Sequence, residues 1–224
     1  MELTVRNCKD EADYWRIRAF LREVHVLNDR RDLSWPVMRF DYWRWHGIEN
    51  CGHGRLEDDV FIWGTGDGQI AAVLNREGPG EAFLQVHPAL RKLELEGAML
   101  AVAEEALAIA DGDGRRRLRV FADKQDSLRQ EVLAGQGYAK SDWPEYHWRR
   151  QLSDEETQPL PDAPVPAGYT VRALGDTGEL PARSWLSWQA FHPDEPDDEY
   201  DGWEWYLNLQ RIPLYRRDLD IVAV

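Results

Sequence analysis

The chain has 224 residues, enough for one or two domains, and its 43% apolar content with eleven Trp excludes a largely disordered polypeptide. The formal charge of −14 is uneven: residues 1–150 carry 22 Lys+Arg against 26 Asp+Glu, residues 151–224 carry 5 against 15. That acidity argues against a nucleic-acid or anionic-membrane partner, because neutralising phosphates needs a basic face.

Residues 2–7 alternate like an edge or half-buried strand, and Glu11–Leu27 carries Ala12, Trp15, Ile17, Ala19, Phe20, Val24 and Leu27 near helical spacing. A second helix is expected from Ser34, an N-cap residue with Pro36 just inside, to about His46. The period then changes to that of strands. Val60–Thr65 and Gln69–Leu74 flank Gly66-Asp67-Gly68, where Asp-Gly supplies the positive φ of a tight hairpin, and Gly78-Pro79-Gly80 turns the chain into Ala82–Val86. Leu93–Ala110 reads as one long helix ended by Asp111-Gly112-Asp113-Gly114, and Leu118–Ala122 as a short strand after Arg115-Arg116-Arg117. Ser127–Gln136 is a helix closed by Gly137, and Tyr138–Leu152 a final strand broken near Pro144. The order is β-α-α-β-β-β-α-β-α-β, followed by a proline-rich acidic linker over 153–167.

The opening pattern then recurs. Leu3-Thr4-Val5-Arg6 returns as Tyr169-Thr170-Val171-Arg172, the pair Trp43 and Trp45 as Trp203 and Trp205, and the strand Val60–Trp63 as Ile221–Val224, at offsets of 160 to 166 residues. An ordered match of this kind marks an internal repeat, begun at residue 168 and carried as far as its second strand. The edge of that strand is expected to stay open to pairing, and a second copy of the chain is among the partners such an edge admits, giving a homo-oligomer.

Other constellations have plainer readings. Cys8 and Cys51 make no disulfide framework, no basic and apolar leader opens the chain, and Glu104 and Glu105 interrupt its most apolar stretch, so a soluble, cytoplasmic protein is expected. Gly64-x-Gly66-x-Gly68 lies between strands and is a turn, not a dinucleotide loop. Cys51-Gly52-His53 with His46 offers too few ligands for a closed zinc site, so no metal is assigned. Asp194–Asp201 holds six carboxylates in eight residues without the glycine spacing of a calcium loop; a solvated loop is the plain reading and recognition of a cationic amine the other. The tryptophans of the repeated helices are read as core, Trp15 and Trp43 by their amphipathic spacing.

The element order, with Leu84-Gln85-Val86-His87-Pro88-x-x-Arg91 and the later pair Gly137-Tyr138, resembles the GCN5-related N-acetyltransferase (GNAT) family. The resemblance implies an α/β (α+β) fold with a mixed, mostly antiparallel sheet flanked by helices. It covers residues 1–152 as a whole domain and 168–224 as the opening arm of a second. Acetyl-CoA would be the cosubstrate, its pantetheine arm on the exposed backbone of Leu84 and Val86 between two splayed strands. Its pyrophosphate would lie on the loop and helix start formed by Arg91, Lys92, Leu93 and Gly97, where free N–H groups and the helix dipole favour an anion.

The sequence departs from the family at that loop. Glu94 and Glu96 hold the usual glycine positions: one reading makes them plain first-turn carboxylates favourable to the helix dipole, and the other has them repel the pyrophosphate and leave weak binding that Gly would restore. Where many members carry an acidic Tyr this chain has Leu133, with Asp126 and Arg129 at the matching upstream positions; Tyr138 and Tyr146 are nearby substitutes. Glu57, Asp58, Asp59 and His87 are candidate bases, and no catalytic residue is assigned. The resemblance implies acetyl transfer to an amine of a small molecule or peptide, attacking the thioester directly. The other reading is a non-catalytic module that supports a second, catalytic domain.

Overall fold

A computed structural model describes residues 3–146, 148 and 164–224, and the chain divides into two units: residues 1–137 with 203–215, and residues 138–202 with 216–224. Along the first stretch run β1 Thr4–Asn7, α1 Glu11–Leu27, α2 Val37–Tyr42, α3 Leu56–Asp59, β2 Val60–Gly64, β3 Ile70–Asn75, β4 Glu81–Val86, α4 Leu93–Ala106, β5 Ile109–Ala110, β6 Arg116–Arg117, β7 Arg119–Val120 and α5 Ser127–Gly135. Beyond residue 164 come β8 Val171–Ala173, α6 Leu180–Phe191, α7 Trp205–Gln210 and β9 Ile221–Ala223.

In the first unit five strands form a sheet of order β1-β2-β3-β4-β7, antiparallel throughout except for the parallel pair β4–β7. This is the mixed, mostly antiparallel, helix-flanked α/β architecture expected from the sequence. Alternation along the strands sends side chains to opposite faces. On one face Ile62, Val73 and Phe83 pack with Tyr14, Ile17, Leu21 and Val24 of α1 and with Phe40 and Trp43. On the other, Trp63, Ala72, Leu74, Leu84 and Val86 pack with Leu95, Met99 and Ala103 of α4. Each fully buried Leu, Ile or Met contributes on the order of 1.5–3 kcal/mol. Gly68, at φ +87, closes the β2–β3 hairpin as the Asp-Gly signal requires.

Several boundaries differ from expectation for local reasons. Ser34 does not cap the second helix: Pro36 holds residue 35 extended, and the Trp35 N–H bonds the Gln85 side chain at 2.7 Å, so α2 starts at Val37 with Pro36 as N-cap. It then widens into a π turn over Trp43–Ile48. The helix expected to reach Ala110 stops at Ala106, because Asp111–Gly114 folds into a hairpin turn that pairs Ile109–Ala110 with Arg116–Arg117. The following strand is only Arg119–Val120. Residues 138–146 and 148 carry no strand; the rest of the expected final strand, and residues 153–163 of the expected linker, lie outside the described residues. Trp15 is 45% exposed rather than core, since the buried stripe of α1 runs through Tyr14, Ile17, Leu21 and Val24 beside it.

The second unit repeats the local geometry of the first. Arg6 holds Asp13 at 2.6 and 2.7 Å and its neighbour's carbonyl, Asn7 O, at 2.8 Å, while the Lys9 N–H bonds Asp13 at 3.0 Å. Arg172 holds Glu179 at 2.7 and 2.9 Å and Ala173 O at 3.0 Å, while the Gly175 N–H bonds Glu179 at 2.8 Å. In both, the Arg strand pairs antiparallel with a later strand, β1 with β2 and β8 with β9. α7 belongs to the first unit: Asn50 donates to Trp205 O at 3.0 Å and accepts from Asn208 at 2.6 Å, and His46 lies 5.7 Å from the Trp205 ring. Among the described residues no helix is long and apolar enough to cross a membrane.

Candidate functional site

The parallel pair β4–β7 supplies a gap. β7 meets β4 only at Glu81 and Ala82, with further bonds from Arg119 N–H to Gly80 O and Phe121 N–H to Ala82 O. Because the His87 N–H bonds Ala71 O on β3, the odd-numbered residues of β4 direct their backbone groups toward β3 and the even-numbered ones away from it. The N–H and C=O of Leu84 and Val86 therefore point to the side where β7 has ended. This is the splay expected between these two strands, and among the described residues it leaves four backbone polar groups without a strand partner. Phe121 stacks on Phe83 at 4.3 Å, and Arg31 bonds Gln125.

Beyond β4 the chain reaches α4 through Arg91 and Lys92. The amides of Leu93, Glu94 and Leu95 precede the first helical bond, which Glu96 N–H makes to Lys92 O at 3.1 Å; Lys92 and Leu93 are exposed, and the Lys92 side chain makes no capping bond. Gly97 sits in the second turn, past these amides, and a Cβ there would meet nothing within 4 Å. Glu94 is exposed, as a repelling carboxylate would be.

Glu96 overturns the expectation made of it. It has no exposed surface, and both its oxygens are taken: Oε1 accepts from Arg91 Nε at 2.5 Å and Arg129 Nη2 at 3.1 Å, Oε2 from Arg129 Nε at 2.8 Å. Arg91 also donates to Asp126 Oδ2 at 2.5 Å, and Asp126 Oδ1 caps α5 by accepting the Arg129 N–H at 3.1 Å. Two cations and two anions thus close a buried network between the starts of α4 and α5. Burial opposes the Arg91 charge, but its bonds to Asp126 and Glu96 outweigh that and raise its pKa. A pyrophosphate would find Arg91 already paired, and a dianion placed against this neutral network would bring uncompensated charge. The open backbone at the gap is of the kind a pantetheine arm would bond, whereas at the start of α4 the Arg91 side chain, already paired, does not fit a role in holding the pyrophosphate. Sequence reading noted Asp126 and Arg129 only as replaced positions. The signal was an opposite-charge pair at the start of each of two consecutive helices.

The remaining candidates scatter. Pairing of Val60 with Asn75 and of Asn75 with Phe83 puts Glu57, Asp58 and Asp59 at the end where β4 begins, away from the open gap. Asp59 is buried and bonded to the Arg55 N–H at 2.6 Å; burial, only partly offset by Arg55 and Arg76, raises its pKa. His87 alone stands at the open end, its Nδ1 accepting from the Ala89 N–H at 3.2 Å and its Nε2 3.9 Å from Glu23. Leu133 and Tyr138 are partly buried and Tyr146 is 73% exposed. Cys51 Sγ lies 3.6 Å from His46 Nε2, and burial, then His53, lowers the His46 pKa. Among the described residues no group of three or more His, Cys, Asp or Glu is arranged to hold a metal.

A five-stranded mixed sheet with α1 and α2 on one face, α4 on the other, and a parallel pair, β4 and the edge strand β7, that parts beyond its first residues is a GNAT-like fold. Structural comparison agrees: over 99% of its length the chain resembles the crystal structure of a GCN5-related N-acetyltransferase from Sphaerobacter thermophilus, at a TM-score of 0.50 and 14% identity, covering 67% of that chain. No protein-family model matches the sequence, and no curated protein matches it.

Proposed function

We propose that this chain is the supporting part of an amine N-acetyltransferase. Acetyl-CoA is the acetyl donor of the reaction, an amine of a small molecule or peptide the acceptor, and residues 1–152 are a GNAT-like module that does not itself take the cosubstrate. Residues 168–224 repeat the opening pattern of that module. The observation that carries this is the closed network at the start of α4, in which Glu96, fully buried, occupies Arg91 and Arg129. The repeated Arg6–Asp13 and Arg172–Glu179 pairs support the duplicated organisation.

A second reading is favoured by one observation: Leu84 and Val86 direct backbone groups that no described strand pairs into the β4–β7 gap. In that reading the first unit binds acetyl-CoA through its pantetheine arm alone. Isothermal titration of the chain with acetyl-CoA separates the two. No saturable heat is expected; a saturable isotherm that coenzyme A reproduces would replace the first reading with the second.

A further inference from the structure

α6 gathers aromatic rings on one face. Trp185 and Trp188 stack at 5.4 Å and 19°, and Trp188 stacks on His192 at 5.5 Å. Tyr200, from the loop after α6, meets Trp185 edge-on at 5.1 Å and Trp188 at 5.7 Å. All four rings are half-buried. Packing against a sheet does not explain them. Matching Arg172 and Glu179 with Arg6 and Asp13 puts Trp185, Trp188 and His192 at the positions of Ala19, Arg22 and Val26, all on the exposed side of α1. The rings therefore lie where the first unit meets solvent, and the loop folds back to reach them: Ser184 Oγ donates to Gly202 O at 3.4 Å and the Tyr200 N–H to Asp197 O at 3.3 Å.

The loop that brings Tyr200 to these rings is acidic. Asp194–Asp201 holds six carboxylates, all exposed, and no Lys or Arg occurs between Arg183 and Arg211. The first unit treats its tryptophans differently: Arg18 lies over Trp15 at 5.3 Å, Arg39 over Trp35 at 5.0 Å and Arg44 over Trp45 at 4.6 Å, so each of these rings meets a cation of the chain itself. Among the described residues no Arg or Lys lies over Trp185, Trp188 or Tyr200. His192, 3.0 Å from Glu195, takes one face of Trp188. The Tyr200 hydroxyl is also unspent, buried and without a hydrogen-bond partner among the described residues. Electron-rich ring faces, a rim of carboxylates and an unused hydroxyl acceptor together suit a cation that carries N–H donors.

We propose that Trp185, Trp188 and Tyr200, with the acidic loop 194–201, form a binding site for an alkylammonium group, the end of a lysine side chain or of a free primary amine. The cation takes the place over the rings that an Arg of the chain takes in the first unit. Its N–H groups bond the Tyr200 hydroxyl and the loop carboxylates, and its alkyl stem lies along the indoles. Surrounding carboxylates favour the charged form of an amine, whereas acetyl transfer needs a neutral nitrogen, so the group held here is not the one acetylated. The site stands apart from the reading of the first unit, on which the acetyl-CoA titration reports separately.

The test is NMR of the whole chain, reading the indole N–H signals of Trp185 and Trp188 during titration with n-butylammonium chloride. Saturable shifts at roughly millimolar concentration are expected, with none from n-butanol or from sodium chloride at matched ionic strength. Gly-Lys-Gly titrated in parallel tells a polypeptide side chain from a free amine as the source, by which of the two binds more tightly. Tyr200→Phe and Trp185→Leu should each weaken binding, the second roughly tenfold, while Trp15→Leu leaves it unchanged. If Trp185→Leu unfolds, the exposed triple substitution Asp197→Asn, Asp198→Asn and Glu199→Gln keeps the rings and removes charge, and should weaken binding roughly threefold or more at low salt. Absence of shifts, equal shifts with n-butanol, or undiminished binding by the triple variant would each overturn the proposal, the second by making the rings a plain apolar surface.

Discussion

Glu96→Ala isolates the buried network. The substitution removes three charge-assisted bonds, at 2.5, 2.8 and 3.1 Å, and leaves Arg129 without its carboxylate and Arg91 with Asp126 alone. Breaking a buried ion pair by deleting one partner costs about 3–5 kcal/mol, because the surviving charge stays desolvated. At roughly 2–4 °C per kcal/mol for a domain of this size, the melting midpoint should fall by about 10 °C. Trp fluorescence during thermal and urea unfolding reads it directly. Glu96→Leu with Arg129→Met, which keeps the Arg91–Asp126 pair and fills the space with apolar groups, should cost less than half as much. A Glu96→Ala protein within about 1 kcal/mol of the parent would mean that Glu96 is a surface carboxylate and that the network does not close the site.

Acid should weaken the first unit in a defined window. The Arg6 bonds, against burial, hold Asp13 down from 3.8 to about 2, so its contribution of about 2 kcal/mol is complete above pH 4 and lost as pH falls toward 2. The stability deficit of Asp13→Asn, measured by urea unfolding across that range, should vanish at the acid end; a constant deficit would refute the pairing. Gly54→Ala should cost about 2 kcal/mol or more, because Gly54 has φ +98 and a Cβ would fall 1.9 Å from Asp59 Oδ2; an unchanged unfolding midpoint would contradict this. Asn50→Ala removes the bonds to Trp205 and Asn208 and should speed limited proteolysis within residues 203–215 about tenfold, equivalent to about 1.4 kcal/mol of docking; unaltered cleavage would show that α7 is held by other contacts.

What could be read from the sequence was set by local rules. The α1 span, the Gly68 hairpin and the β2–β3–β4 meander followed from periodicity and turn chemistry, whereas the splay of β4 from β7 was implied by the family resemblance alone. The start of α2 was misplaced because Ser34 is a good cap in isolation, whereas the bond from Trp35 to Gln85 joins residues fifty apart. The same holds for Glu96. As a helix-start carboxylate it looked exposed and repulsive, and only the approach of α5 makes Arg129 its partner. Charges on neighbouring elements change meaning once they meet, and spacing along one helix cannot reveal that.

Amide shifts of the 1–224 chain during addition of acetyl-CoA test the central claim most directly. With the network closed, Leu84, Val86 and Leu93 to Leu95 should keep their positions up to millimolar ligand. Saturable movement of those amides, with Arg91 or Glu96 following, would show that the first unit takes the cosubstrate after all and contradict its role as a supporting module.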